Sequence, residues 1–297
     1  MTSPPTEERD PRSAALGPDQ PEAALAAMAD IQLAAMRAVG AAAPALARAA
    51  ALLADRLRAG GRVHYVGAGS AGLMAAADAL ELPGTFGLPR DRVGFSIAGG
   101  LQTFRNLSGG AEDSGEAGSA DCKAAGLGPG DIVIAVSASG GTPYTCAFAK
   151  QASETKSEIV GLANVPSARL LALSTCPVLL ESPPEFVAGS TRMAAGSAQK
   201  AALNMISTLA AMHLGRVVQG HMVQVVADNE KLRGRAVRII GDLTSKPAHQ
   251  AGAALDASDG SVPVAILVAT GLERTAAEAL LADVGGDVAA ALRRATR

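Results

Sequence analysis

Aromatic rings are scarce in this chain of 297 residues, with two Tyr, five Phe and no Trp. A surface that stacks nucleic-acid bases needs such rings. Nor is there a basic block to follow a phosphate backbone, because the formal net charge is −2 and both signs are spread along the chain. Nucleic acid is therefore not an expected partner. The three cysteines, Cys122, Cys146 and Cys176, are odd in number and lack CxxC spacing. They read as free thiols in a reducing compartment rather than a disulfide framework. Four histidines, His64, His213, His221 and His249, are scattered without an HExxH motif or a Cys/His cluster. That pattern argues against a protein-built zinc site. The opening MTSPPTEERDPRSAALG is polar and proline-bearing, unlike a signal peptide. The alanine-rich stretch 41–54 is broken by Pro44 and Arg48 and is too short to cross a bilayer. A cytoplasmic protein without a membrane partner is expected.

Small aliphatic residues take the place of aromatics. Hydrophobic residues make up 48% of the chain, so its core is built from Ala, Val, Leu and Ile. Residues 1–20 look irregular, and helical patterns follow at 22–38 and 45–59. Beyond Gly60 and Gly61, short apolar runs at 62–66, 93–98, 131–136, 158–162 and 178–180 alternate with helical stretches near 73–80 and 144–155. That alternation predicts an α/β fold, a three-layer αβα arrangement around a mostly parallel sheet. Longer helices are expected at about 193–214 and 228–243. Three short amphipathic helices fit 248–255, 262–270 and 276–282, with a terminal helix to Arg294. The expected division is an arm with helices at 1–60, a ligand-binding domain at 61–244 and a small helical domain at 245–297. That last piece is expected to be too small for a large core of its own.

Ligands in such sheets bind beyond the carboxyl ends of the strands, where this chain carries glycine and hydroxyl residues. Gly67-Ala-Gly69-Ser70-Ala-Gly72 formally matches the GxGxxG pattern of dinucleotide sites. The acidic partner expected at the end of the next strand is missing, since that strand ends in Ile97-Ala98-Gly99-Gly100. A tight turn without a ligand also fits these residues. Ser137-Ala-Ser139-Gly140-Gly141-Thr142 follows another strand and opens another helix. Hydroxyls, glycine amides and a helix N-terminus together make a phosphate cradle. Ser139 and Thr142 also fit a plain helix cap. No lysine follows in the Walker pattern, which disfavours an ATP loop.

The two loops together resemble the SIS domain of phosphosugar-binding proteins. The whole chain resembles the N-acetylmuramic acid 6-phosphate etherases. The motifs that carry this resemblance run in order along the sequence. They begin with Thr6-Glu7-Glu8-Arg9-Asp10-Pro11, Asp78-Ala-Leu-Glu81-Leu-Pro83, Ala98-Gly-Gly100 and Ala111-Glu112-Asp113-Ser114. They continue with Ser139-Gly-Gly-Thr142-Pro143-Tyr144, Gly189-Ser190-Thr191-Arg192-Met193, Ala198-Gln199-Lys200 and Asn229-Glu230-Lys231-Leu232. The resemblance implies a cofactor-free lyase and homodimer acting on a phosphorylated aminosugar, with a small three-helix, UBA-like C-terminal domain. It places the acid at Glu81 and the base at Glu112. Gly69, Ser70, Ser137, Ser139, Gly140 and Thr142 are expected to bind phosphate, and Ser190 and Arg192 to line the pocket.

The pattern departs from the family in one direction. Leu73 and Gly141 stand where the family usually has Arg, and Ala194 where it usually has Lys. Ala71 replaces a family hydroxyl. Lys200 and Arg105 are the candidates to restore positive charge. The alternatives are a non-catalytic phosphosugar-binding regulator, and a lyase or isomerase acting on a different aminosugar.

Overall fold

The computed structural model describes residues 5–107, 109–225 and 230–295. The expected helix start at Asp228 and the motif residue Asn229 lie outside the described residues. The chain divides into two compact units, residues 1–79 with 91–207, and residues 80–90 with 208–297.

The first unit begins with short 3-10 turns at Pro5–Glu7 and Pro11–Ala14, then helices α1 (Pro21–Ala41) and α2 (Ala43–Arg58). By length and composition alone α1 is apolar enough to cross a membrane. It is also two-sided, burying Ala24, Ala27, Ile31, Ala35 and Val39 while leaving Leu25 and Leu33 exposed. Five strands follow, β1 (Val63–Gly67), β2 (Val93–Ile97), β3 (Ile132–Ser137), β4 (Glu158–Ala163) and β5 (Cys176–Leu179). All pair in parallel, in the order β2-β1-β3-β4-β5. β1 and β3 are buried along their whole length, which explains the continuous apolar run of β3. The crossover helices are α3 (Gly69–Phe86), α4 (Gly115–Ala125), α5 (Pro143–Glu154) and the single turn α6 (Arg169–Ala172). Helix α7 (Ala194–His213) follows β5. The division between the units falls within α3 and α7. All three cysteines are free and buried, and burial pushes the Cys122 thiol up to about 11.

Helix α4 lies in a segment for which the sequence pattern named no element. Its N-terminus is set by Ser114, whose Oγ accepts from Ala117 N at 3.1 Å. Gly118 is the reason the segment looks unlike a helix. A Cβ there would stand 2.1 Å from Tyr144 O, so the glycine lets α4 lie close against α5.

One buried titratable group gives this unit a pH dependence. His64 on β1 stacks on Phe148, with ring centroids 5.3 Å apart, and its Nε2 lies 2.9 Å from Ser96 Oγ. Burial above all, with Arg62 nearby, pushes its pKa down from 6.5 to about 4. The folded protein holds His64 neutral, while the unfolded chain takes up the proton between those two values. Stability is therefore lost as pH falls through this window, by up to about 3 kcal/mol. Urea unfolding midpoints at about pH 7 and about pH 4.5 check this against a His64→Gln variant. A smaller acid loss in the variant is expected, and an equal loss would assign the effect to other groups.

The second unit contains a short hairpin of β6 (Val217–Val218) and β7 (His221–Met222), followed by α8 (Glu230–Thr244). Four helices complete it, α9 (Ala248–Ala257), α10 (Val262–Ala269), α11 (Arg274–Asp283) and α12 (Val288–Ala295). The C-terminal helices share a core with α8. Val223, Ala236, Ile239 and Ile240 pack with Leu255, Val262, Ile266, Leu267, Ala277 and Val288. The compact unit that holds these helices comprises residues 80–90 and 208–297. Helix α10 is not amphipathic, because five of its eight residues are buried and it runs through the middle of this core.

Candidate active site

The sheet order places β1 beside β3, with β2 outside β1 and β4 outside β3. The direction of winding reverses between β1 and β3, so the loops leaving their carboxyl ends diverge and open a crevice. Those loops are the two glycine-hydroxyl segments. Both line a cavity of about 500 Å³ in the first unit.

In the first loop the glycines serve packing. A Cβ on Gly67 would lie 2.9 Å from Gly72 Cα, and one on Gly72 would lie 2.7 Å from Ile97 Cγ1. Gly69 has φ +53 and begins α3. Gly69 and Ser70 line the cavity, in the helix turn whose amides have no intrahelical acceptor.

In the second loop the hydroxyls build the turn. Ser137 Oγ accepts from Gly140 N at 3.0 Å and lies 2.8 Å from Thr142 Oγ1. Ser139 Oγ accepts from Gly141 N at 3.2 Å. Thr142 occupies the N-cap position of α5 without making a side-chain cap, which leaves its hydroxyl with Ser137. Ser137, Ser139 and Thr142 all line the cavity. Gly140 does not, but it holds the loop in shape. Its φ is +63, and a Cβ there would stand 2.3 Å from Ala168 Cβ. Gly140→Ala is expected to cost about 3 kcal/mol through overpacking and backbone strain. Gly141→Ala, with only Ser139 Oγ near its Cβ position at 3.8 Å, is expected to stay within about 1 kcal/mol. Urea denaturation of the two variants checks the contrast.

Glu112 enters from a 3-10 turn, Gly109–Asp113, just before the Ser114 cap. Its Oε2 lies 3.6 Å from where a Gly69 Cβ would be, which sets the carboxylate beside the start of α3. Asp113 lines the same wall. Gly189, Thr191 and Glu7 also line the cavity. Glu7 arrives on the N-terminal arm, which is anchored where Asp10 N donates to Glu185 O at 2.8 Å and Arg9 bridges Glu185. Glu185 is itself buried, and its carboxylate accepts from Ala194 N at 2.9 Å and Ala195 N at 3.0 Å at the start of α7. Burial pushes the Glu185 carboxyl up, against the two amides and Arg192.

Six of the expected residues therefore share one cavity, namely Gly69, Ser70, Glu112, Ser137, Ser139 and Thr142. Gly140 supports it from behind. Ser190 sits between two lining residues without lining the cavity itself, and Arg192 is exposed. Glu81 does not line this cavity and is exposed on α3, in the segment 80–90 of the second unit. Glu7, Asp113 and Thr191 were missed as lining residues. Each stood inside a recognised motif, but no spacing in the sequence joins residues 7, 113 and 191.

The charged side chains lining the cavity are Glu7, Glu112 and Asp113, with no Lys or Arg among the described lining residues. Gly141, where the resemblance led to an expected Arg, opens directly onto it. Ala194, where it led to an expected Lys, is fully buried. Neither Lys200 nor Arg105 lines the cavity, and Lys200 Nζ is engaged by Asn204 Oδ1.

Parallel strands, a switch-point crevice and two hydroxyl-glycine loops define a sugar-isomerase-type domain, and residues 28–164 match the SIS domain family model. An N-acetylmuramic acid 6-phosphate etherase of Deinococcus radiodurans is 44% identical over 95% of this chain and 92% of its own length. Etherases of the same name from Rubrobacter xylanophilus and Symbiobacterium thermophilum are 43% and 46% identical, over 96% and 75% of this chain and 91% and 74% of their own lengths. The chain belongs to the N-acetylmuramic acid 6-phosphate etherase family.

Proposed function

We propose that this chain cleaves the D-lactyl ether of N-acetylmuramic acid 6-phosphate, giving N-acetylglucosamine 6-phosphate and D-lactate, in cell-wall sugar recycling. The observation that carries this reading is the full-length kinship, 44% identity over 95% of the chain, joined to a cavity that holds Glu112 beside two anion-binding helix starts. The names of the relatives do not favour a non-catalytic regulator.

The phosphate lies against the hydroxyls of Ser70, Ser139 and Thr142 and the N-termini of α3 and α5, with Ser137 and Gly140 holding the second loop. The sugar C2 proton is acidified by the C1 aldehyde of the open-chain form. Glu112, as base, removes it. This reading assigns the acid role to Glu81, although Glu81 does not line the cavity, and protonation of the departing ether oxygen lets the C3–O bond break and a C2=C3 double bond form. Water then adds across that bond. Ser190 and Arg192 belong to the pocket in this reading, since Arg suits the lactyl carboxylate. It extends to a cytoplasmic homodimer, for which the exposed Leu25 and Leu33 of α1 leave an apolar face.

The test is incubation of the purified protein with N-acetylmuramic acid 6-phosphate and an assay for D-lactate. Release of D-lactate establishes the reading. Bound sugar phosphate without lactate removes it.

A further inference from the structure

A carboxylate in an anion-binding cavity needs a reason. Glu7 lines the same cavity as the Ser139 and Thr142 cradle, on the wall of Gly189 and Thr191. Its Oε2 lies 3.3 Å from where a Gly189 Cβ would be, so the carboxylate rests against that backbone. The neighbouring Thr6 is only 2% exposed, which plugs the arm into the protein one residue before Glu7. The arm is held again at Asp10 through Glu185, whose carboxylate accepts from the first amides of α7. Glu7 is thus delivered to the cavity by a docked segment whose only other charged neighbours in the lining are two acids, Glu112 and Asp113. No lining cation neutralises it among the described residues.

Toward a phosphate such a group is repulsive. Toward hydroxyl or amide hydrogens it is a strong acceptor, because hydrogen bonds to a charged group exceed neutral ones. We propose that Glu7 is a specificity-determining residue that accepts hydrogen bonds from the sugar body, its hydroxyls or its acetamido N–H, while the two loops take the phosphate. This deepens the phosphosugar reading of the cavity and rests on it. It also explains why the arm is tied to the base of α7, since the acceptor must be held at a fixed height above the cradle.

Calorimetric titration of wild type and Glu7→Ala with N-acetylglucosamine 6-phosphate and with inorganic phosphate separates the two duties. Glu7→Ala is expected to weaken the sugar phosphate by about ten- to a hundredfold. Inorganic phosphate binding is expected to be unchanged or tighter, because a negative charge has left the cavity. Glu7→Gln, which keeps an acceptor oxygen, is expected to fall between. Equal weakening of both ligands would assign Glu7 a purely structural role and overturn the proposal, as would an unchanged affinity for the sugar phosphate. If wild type releases no lactate yet shows the differential loss, the etherase reading fails and the Glu7 proposal stands.

Discussion

Glutamine in place of Glu112 is expected to lower D-lactate release by about two to four orders of magnitude, the usual share of a general base. Binding of N-acetylglucosamine 6-phosphate is expected to survive, because the phosphate cradle is built from other residues. The argument rests on position. Glu112 stands beside the start of α3, within the cavity that the two loops define. Glutamine keeps the shape and the polarity of the side chain and removes its ability to take a proton. Asp113 is the control, since it lines the same wall one residue later. Full activity in Glu112→Gln together with loss in Asp113→Asn would move the base by one residue. Glu81→Gln is expected to show a comparable loss if Glu81 supplies the proton to the ether oxygen. An active Glu81→Gln would take the acid role away from it.

Gly141→Arg is expected to tighten phosphosugar binding by about ten- to a hundredfold, the worth of one charge-assisted hydrogen bond. The cavity is lined by three carboxylates and no Lys or Arg among its described residues. In the proposed reading, binding leans on hydroxyls and helix N-termini, which carry only partial charge. Gly141 is exposed on the cavity wall, its φ is not in the left-handed region, and the nearest atom to its Cβ position is Ser139 Oγ at 3.8 Å. An arginine therefore fits there without strain and carries its guanidinium to the mouth of the cradle. Gly140, one residue earlier, has neither the space nor the backbone for it. Ala194 is a poor place for the same repair, since it is fully buried and its amide is held by Glu185. An unchanged dissociation constant for N-acetylglucosamine 6-phosphate in Gly141→Arg would mean that this position does not reach the bound phosphate. Titration at two salt concentrations adds a second readout, because the gain from an exposed charge shrinks with screening.

Much of this architecture is local and was legible from the residues alone. Buried parallel strands tend to be apolar runs, so β3 and most of β4 stand out in the sequence. Glycine at the end of a strand marks the turn into the next helix, so both loops were found, and the ordered motifs identified the family. Helix α4 was hidden because Gly115 and Gly118 lower its helical signal, and Gly118 is there for the sake of Tyr144 on another helix. The extent of the second unit was hidden as well, because α8 and the β6–β7 segment join the C-terminal helices only through side-chain packing.

The residues alone determined the parallel α/β class and marked the two hydroxyl-glycine loops, and the family resemblance nominated Glu81 and Glu112. Only the tertiary structure decided that the two loops leave adjacent strands and share a cavity, that Glu7 and Thr191 line it, and that Gly140 is obligatory where Gly141 is free. The physical reason is one of range. Backbone conformation and hydrophobic periodicity are set by near neighbours in the chain, while a cavity wall is set by residues far apart in sequence that meet only when the sheet has been assembled.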